Sequence, residues 1–155
     1  MKIRVICCGN PFRGNDAAGL HVLALLEKNC PHLDAVDGGT GGLELISLME
    51  GYDRVIIVDA TSGIGSIGDV RVFRDGIPTW DVPGSSFHDI GIAEAVAIGK
   101  EIGVSPHVVL VGIEAGTVMP LSETLEPAVA QAVPCACSAV HRILREWGVH
   151  KEGSD

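Results

Sequence analysis

Three residues far apart in the chain carry side chains suited to chemistry on a substrate: Asp16, Asp59 and His88. Asp16 closes the stretch Gly9-Asn-Pro-Phe-Arg-Gly-Asn-Asp16, whose glycines are spaced like a phosphate loop but which has Asn15 where such a loop needs lysine. A carboxylate there repels an anion and attracts a cation. Asp59 closes the apolar run Val55 to Val58, and His88 lies in Pro83-Gly-Ser-Ser-Phe-His-Asp-Ile-Gly91. Ser86 and Asp89 have capping-box spacing, which predicts the His88 imidazole in the first turn of a helix. Two carboxylates and an imidazole on separate elements form a mixed oxygen and nitrogen donor set for a borderline divalent cation, with coordination positions open to water or substrate. A helix amino terminus also disfavours the imidazolium, which keeps the ring able to ligate.

Each residue also has an ordinary structural role open to it. Asp16 can cap the first helix. Asp59, before Ala-Thr-Ser-Gly63, can be an Asx-turn residue, and His88 can be a surface histidine of the cap region. It is the three together, at one edge of a sheet, that favour a metal site. Asp37 and Gly38 to Gly42 read first as a turn, although glycines there would let a peptide backbone pass closely. Glu114 ends an apolar strand, where capping or solvation is the default. His21, His32, His107 and His141 have no ligand-spaced partner. There is no GxSxG elbow, and Cys7 and Cys8 fall inside a buried strand that disfavours a thiolate.

The elements that must position these residues alternate between strand and helix. Ile3 to Cys8, Val55 to Val58 and Val108 to Ile113 are apolar without alternation, as parallel strands covered on both faces are. Leu33 to Val36 reads as a further short strand. Asp69 to Arg74 alternates polar and apolar and fits an antiparallel edge. Helices are expected over Asp16 to Lys28, Leu43 to Met49, Phe87 to Ile102 and Thr124 to Trp147, the last with Pro134 inside it. The sum is a single-domain, three-layer α/β fold over residues 1–150: a twisted, mostly parallel sheet with an antiparallel edge strand and helices on both faces. Residues 151–155 read as a flexible tail. In such folds ligands bind beyond the carboxyl ends of the strands, the edge to which Asp16 and Asp59 belong.

Composition narrows the function further. With 155 residues there is room for about one core, and 46% hydrophobic against 4% aromatic residues makes that core aliphatic. The formal charge of -9 argues against a protein whose task is to grip nucleic acid or anionic lipid. The amino-terminal apolar run is too short for a signal peptide, and no segment approaches the ~20 apolar residues of a membrane span, so a soluble cytoplasmic protein without membrane insertion is expected. The five cysteines, at 7, 8, 30, 135 and 137, lack CxxC spacing and read as reduced thiols.

With these pieces in order, the sequence resembles the endopeptidases that mature the large subunit of nickel-iron hydrogenases. The resemblance is carried by GNPFRGNDAAG, DGGTGGLELI, VIIVDA, SSFHDIGIAEAVAIG, VVLVGIEAG and LSETLEPAV. It implies a metal site formed by an acid after the first loop, an acid ending the third strand and a histidine opening a later helix, which are Asp16, Asp59 and His88 here. It further implies removal of a short carboxy-terminal extension from a nickel-loaded large-subunit precursor, the nickel arriving with that partner and being what the protease recognises. The expected catalytic and metal-binding residues are therefore Asp16, Asp59 and His88, holding nickel or another divalent cation as Lewis acid. Gly38, Gly39, Thr40 and Gly41 are expected to receive the substrate tail. The alternative is a non-catalytic nickel-binding chaperone or sensor for hydrogenase assembly. A nucleotide-binding protein is disfavoured by the missing lysine. Ala17 departs from the glycine that usually follows the loop acid in this family.

Overall fold

The computed structural model describes residues 1–80, 90–117 and 120–150, so His88 and the tail 151–155 lie outside the described residues. Five strands form one sheet: β1 (Ile3–Cys7), β2 (Ala35–Asp37), β3 (Arg54–Thr61), β4 (Val70–Phe73) and β5 (His107–Glu114). Their order is β2-β1-β3-β5-β4; every pairing is parallel except that of β4 with β5. The mostly parallel sheet with an antiparallel edge strand is thus present. Four helices join the strands: α1 (Ala18–Asn29), α2 (Glu44–Met49), α3 (Ile92–Glu101) and α4 (Pro127–Glu146).

The unalternating strands are apolar because helices cover them on both sides. Val5, Cys7, Ile56, Val58, Val109, Val111 and Ile113 pack with α1 and α4. Ile6, Cys8, Val55, Ile57 and Leu110 point the other way, toward α2 and α3. Helix α4 buries Val129, Val133, Ala136, Val140 and Leu144, the stripe of a 3.6-residue period, and continues through Pro134. It starts at Pro127, where a missing N–H costs nothing.

Three boundaries next to the expected site residues differ from expectation. Asp16 belongs to a 3-10 turn, Gly14–Ala17, and α1 begins only at Ala18. Strand β3 does not stop at Asp59: Asp59 pairs with Gly112, and the ladder continues to Thr61 opposite Glu114. Helix α3 does not reach back to Phe87. Gly91 is extended and serves as its N-cap, where its N–H donates to Oε2 of Glu94 at 2.6 Å. The entry of α3 is therefore set by Gly91 and Glu94, and its expected start at Phe87 is corrected to Ile92. The expectations for His88 itself lie outside the described residues.

The strand order places the topological switch between β1 and β3. The chain leaves β1 for β2 on one side and later returns to β3 on the other, so the connections diverge and open a crevice beyond their carboxyl ends. The first turn of α1 closes tightly over this point. A Cβ on Gly19 would lie 2.2 Å from the carbonyl oxygen of Cys8 and 2.9 Å from that of Val58, so only glycine permits the approach.

Candidate active site at the strand switch point

Asp16 and Asp59 come from the two sides of that crevice. The 3-10 turn carries Asp16 over the end of β1, where its Oδ2 accepts the backbone N–H of Asn10 at 3.0 Å. Asp59 is an odd-numbered residue of β3, on the same face as Val55 and Ile57, and its Oδ1 accepts the N–H of Ala60 at 2.8 Å. The strand ends are joined by the N–H of Cys8, which donates to the carbonyl of Val58 at 2.8 Å.

Electrostatics shows that the two acids share one neighbourhood. Burial, and then the charge of Asp16, push the Asp59 carboxyl well above the usual carboxylate range against the single pull of the Ala60 N–H. Burial also raises Asp16, opposed by the Asn10 N–H and the charge of Arg13. Cys8 lies in the same field. Its thiol is raised first by burial and then by Asp59, with Asp16 contributing further. Cys7 is raised as well, chiefly by burial. Both thiols therefore stay protonated, as their place in a buried strand implies.

The glycine loop forms the neighbouring wall. The N–H of Gly9 donates to the carbonyl of Gly39 and that of Gly38 to the carbonyl of Cys7, each at 2.8 Å. The Asp37 carboxylate fixes the turn by accepting the N–H of Gly39 at 2.7 Å. A Cβ on Gly38 would meet Cys8 Sγ at 2.8 Å and Ile6 Cγ2 at 2.6 Å. Gly39 has φ +64 and nothing within 4 Å of a Cβ position, so that part of the loop opens to solvent. Thr40 is exposed beside it.

Asp16 and Asp59 are oxygen donors of the kind a divalent cation takes. Among the described residues the ion pairs are Arg4–Asp34, Arg71–Asp69 and Arg74–Glu146, and Asp59 belongs to none of them. The charge of Asp16 raises the proton affinity of Asp59, and a cation bound between two such acids would relieve that repulsion. No group of three His, Cys, Asp or Glu able to hold a metal occurs among the described residues. The third expected ligand, His88, lies outside them. Trp80 and Ile90 both pack against the cluster under α2 and α3.

Two polar residues matter more than their sequence context suggests. Asn15 is 6% exposed, donates from Nδ2 to the carbonyl of Ala115 at 3.2 Å and accepts at Oδ1 the N–H of Glu126 at 2.8 Å. Glu114 is 2% exposed and accepts from Thr61 Oγ1 and the N–H groups of Gly63, Ile64 and Gly116 at 3.0 to 3.1 Å. It caps the loop after β3, the default expected of it, and does so from inside the protein. No local motif marks either residue, because all but one of their partners, Gly116, lie far along the chain.

Comparison with known proteins shows the family to which the chain belongs. The sequence model of the hydrogenase maturation protease family matches residues 20–143. The chain belongs to that family. It is 30% identical over 155 residues to the hydrogenase 2 maturation protease of Escherichia coli K12, covering 96% of this chain and 94% of that protein. It is 28% identical to the hydrogenase expression/formation protein HupD of Bradyrhizobium diazoefficiens, covering 96% of this chain and 80% of that one. The solved structure of the hydrogenase maturating endopeptidase HybD from E. coli superposes with a TM-score of 0.81 at 29% identity, covering 97% of this chain and 96% of that one. The fold of this maturation protease is thus the fold of that endopeptidase. No helix among the described residues is long and apolar enough to cross a membrane.

Proposed function

We propose that this hydrogenase maturation protease removes the carboxy-terminal extension of a nickel-iron hydrogenase large-subunit precursor after nickel insertion, using Asp16, Asp59 and His88. The observation that carries the proposal is the pair Asp16 and Asp59 at the switch point, where each carboxyl is raised and burial is the leading cause. A divalent cation held there, nickel brought by the precursor or another ion in its place, would supply Lewis-acid polarisation of the scissile carbonyl and a more acidic water.

The chain's own residues account for the rest. Cys7 and Cys8 stay protonated, so neither is a nucleophile, and water is left to attack the peptide carbon. Asp59 has the higher proton affinity of the two acids and is the group suited to take a proton from that water and return it to the leaving nitrogen. Asp16, held by the Asn10 N–H, stays the better cation ligand. The open side of the turn at Gly38, Gly39, Thr40 and Gly41 receives the extended tail through backbone contacts, since no side chain at Gly39 stands in the way. Specificity for the mature precursor then follows from charge: the crevice is acidic, and a precursor that brings its metal meets attraction where an empty one meets none.

The test is to incubate a nickel-loaded and a nickel-free precursor with the protein and weigh both by mass spectrometry. Shortening of the loaded precursor alone is expected. A loaded precursor that binds but keeps its full mass would instead favour a nickel chaperone or sensor.

A further inference from the structure

The two acids sit on separate elements, so something must fix the distance between them. Asp16 rides on a one-turn segment whose own stabilisation is small. The N–H of Asp16 donates to the carbonyl of Arg13 at 3.1 Å, and Arg13 offers the turn no side-chain cap. Asp59 rides on a central strand, which is rigid. A chain of hydrogen bonds connects the two. The Asn15 amide donates to the carbonyl of Ala115, the N–H of Ala115 donates to the carbonyl of Thr61 at 2.9 Å, and Thr61 follows Asp59 by two residues on β3. The same amide accepts the N–H of Glu126, the N-cap of α4. One side chain thus ties the Asp16 turn to both β5 and α4, and through Ala115 to β3.

We infer that Asn15 is a positioning residue, whose amide bracket to Ala115 and Glu126 sets the spacing of Asp16 and Asp59. The inference rests on the reading of those two acids as the metal-binding pair. It also explains why the loop carries an amide where a phosphate loop has lysine. The position points into the protein, where a buried ammonium would be costly and an amide satisfies one acceptor and one donor at once. An aliphatic residue would fill the volume but leave the Ala115 carbonyl and the Glu126 N–H unpaired.

Three variants separate the possibilities. Asn15→Ala removes both bonds. Glu126→Pro removes the N–H that Asn15 accepts and leaves the Ala115 bond in place, at a position whose φ of -61 already suits proline; Glu126→Ala, which keeps the N–H, controls for loss of the carboxylate. Asp16→Asn tests the underlying reading. Each is measured for thermal unfolding, for Ni2+ binding by calorimetry, and for kcat and KM on a nickel-loaded precursor. For Asn15→Ala the expected result is a folded protein whose Ni2+ affinity and kcat fall on the order of 10-fold to 100-fold, the range for loss of a residue that orients a ligand. KM should change less than about twofold. Glu126→Pro should move the same quantities in the same direction by less, so an Asn15→Ala variant that fails to fold still leaves the inference open to refutation. Full Ni2+ affinity and full kcat in either folded variant, while Asp16→Asn has lost both, would overturn the role of Asn15 and leave the site standing. An Asp16→Asn protein with unchanged affinity and kcat would remove the site reading, and the role of Asn15 with it.

Discussion

The charge of Asp16 raises the proton affinity of Asp59 across the joined ends of β1 and β3. Two acids so placed repel when both are ionised, and that repulsion has consequences measurable without any substrate.

The first concerns stability against pH in the absence of metal. Both carboxyls have folded-state pKa values raised above the ordinary 3.8, so the folded chain holds protons that the unfolded chain releases. Their contribution is therefore most favourable at acidic pH and is lost as pH rises from about 3.8 through the folded values. Asp59→Asn should remove most of this loss, so the variant should gain stability relative to wild type at neutral pH and little at pH 4. Ni2+ should raise the wild-type Tm more at neutral than at acidic pH, and should do little for the variant. Thermal unfolding across pH, with and without Ni2+, checks all three.

The glycine loop separates packing from access. Gly38→Ala places a methyl group against Ile6 and Cys8 and should cost about 1–3 kcal/mol, read from denaturant unfolding. Gly39→Ala meets no neighbour and should cost only the left-handed backbone penalty, on the order of 1–2 kcal/mol. If the tail lies along this turn, Gly39→Ala should raise KM with little change in kcat.

Glu114 makes a stability prediction. Glutamine keeps its shape but offers one acceptor oxygen to donors that now share two, so Glu114→Gln should destabilise the fold on the order of 3 kcal/mol. Chemical denaturation gives the number. A loss under about 0.5 kcal/mol would mean that these bonds are replaced by water.

Much of this architecture was legible before any coordinates. Unalternating runs at β1, β3 and β5 could only be covered strands, the alternation at β4 marked an edge, and the stripe of α4 has one period that fits. Asp16 and Asp59 were legible as candidates because strand polarity alone assigns them to one edge. What escaped was decided by long-range partners or by near-equal local choices. The start of α3 is one such choice: Ser86 with Asp89 and Gly91 with Glu94 are both capping patterns, and the second is used. The 3-10 turn that carries Asp16 is anchored at its first residue by the N–H of Gly14, which donates to the carbonyl of Ser122, a residue no local pattern connects to it. The extension of β3 past Asp59 depends on Gly112 to Glu114 standing opposite. The roles of Asn15 and Glu114 are likewise made mostly by residues distant in the chain, whereas sequence periodicity reports only neighbours.

The central claim is that Asp59 and Asp16 together drive cleavage, and it is tested most directly by replacing the deeper acid with its isostere. Asp59→Asn, shown to be folded by circular dichroism, is incubated with a nickel-loaded large-subunit precursor, and the carboxy terminus is read by mass spectrometry over time. The account predicts that the rate falls on the order of 100-fold or more while the precursor still binds. Processing at the wild-type rate by the folded variant would contradict it.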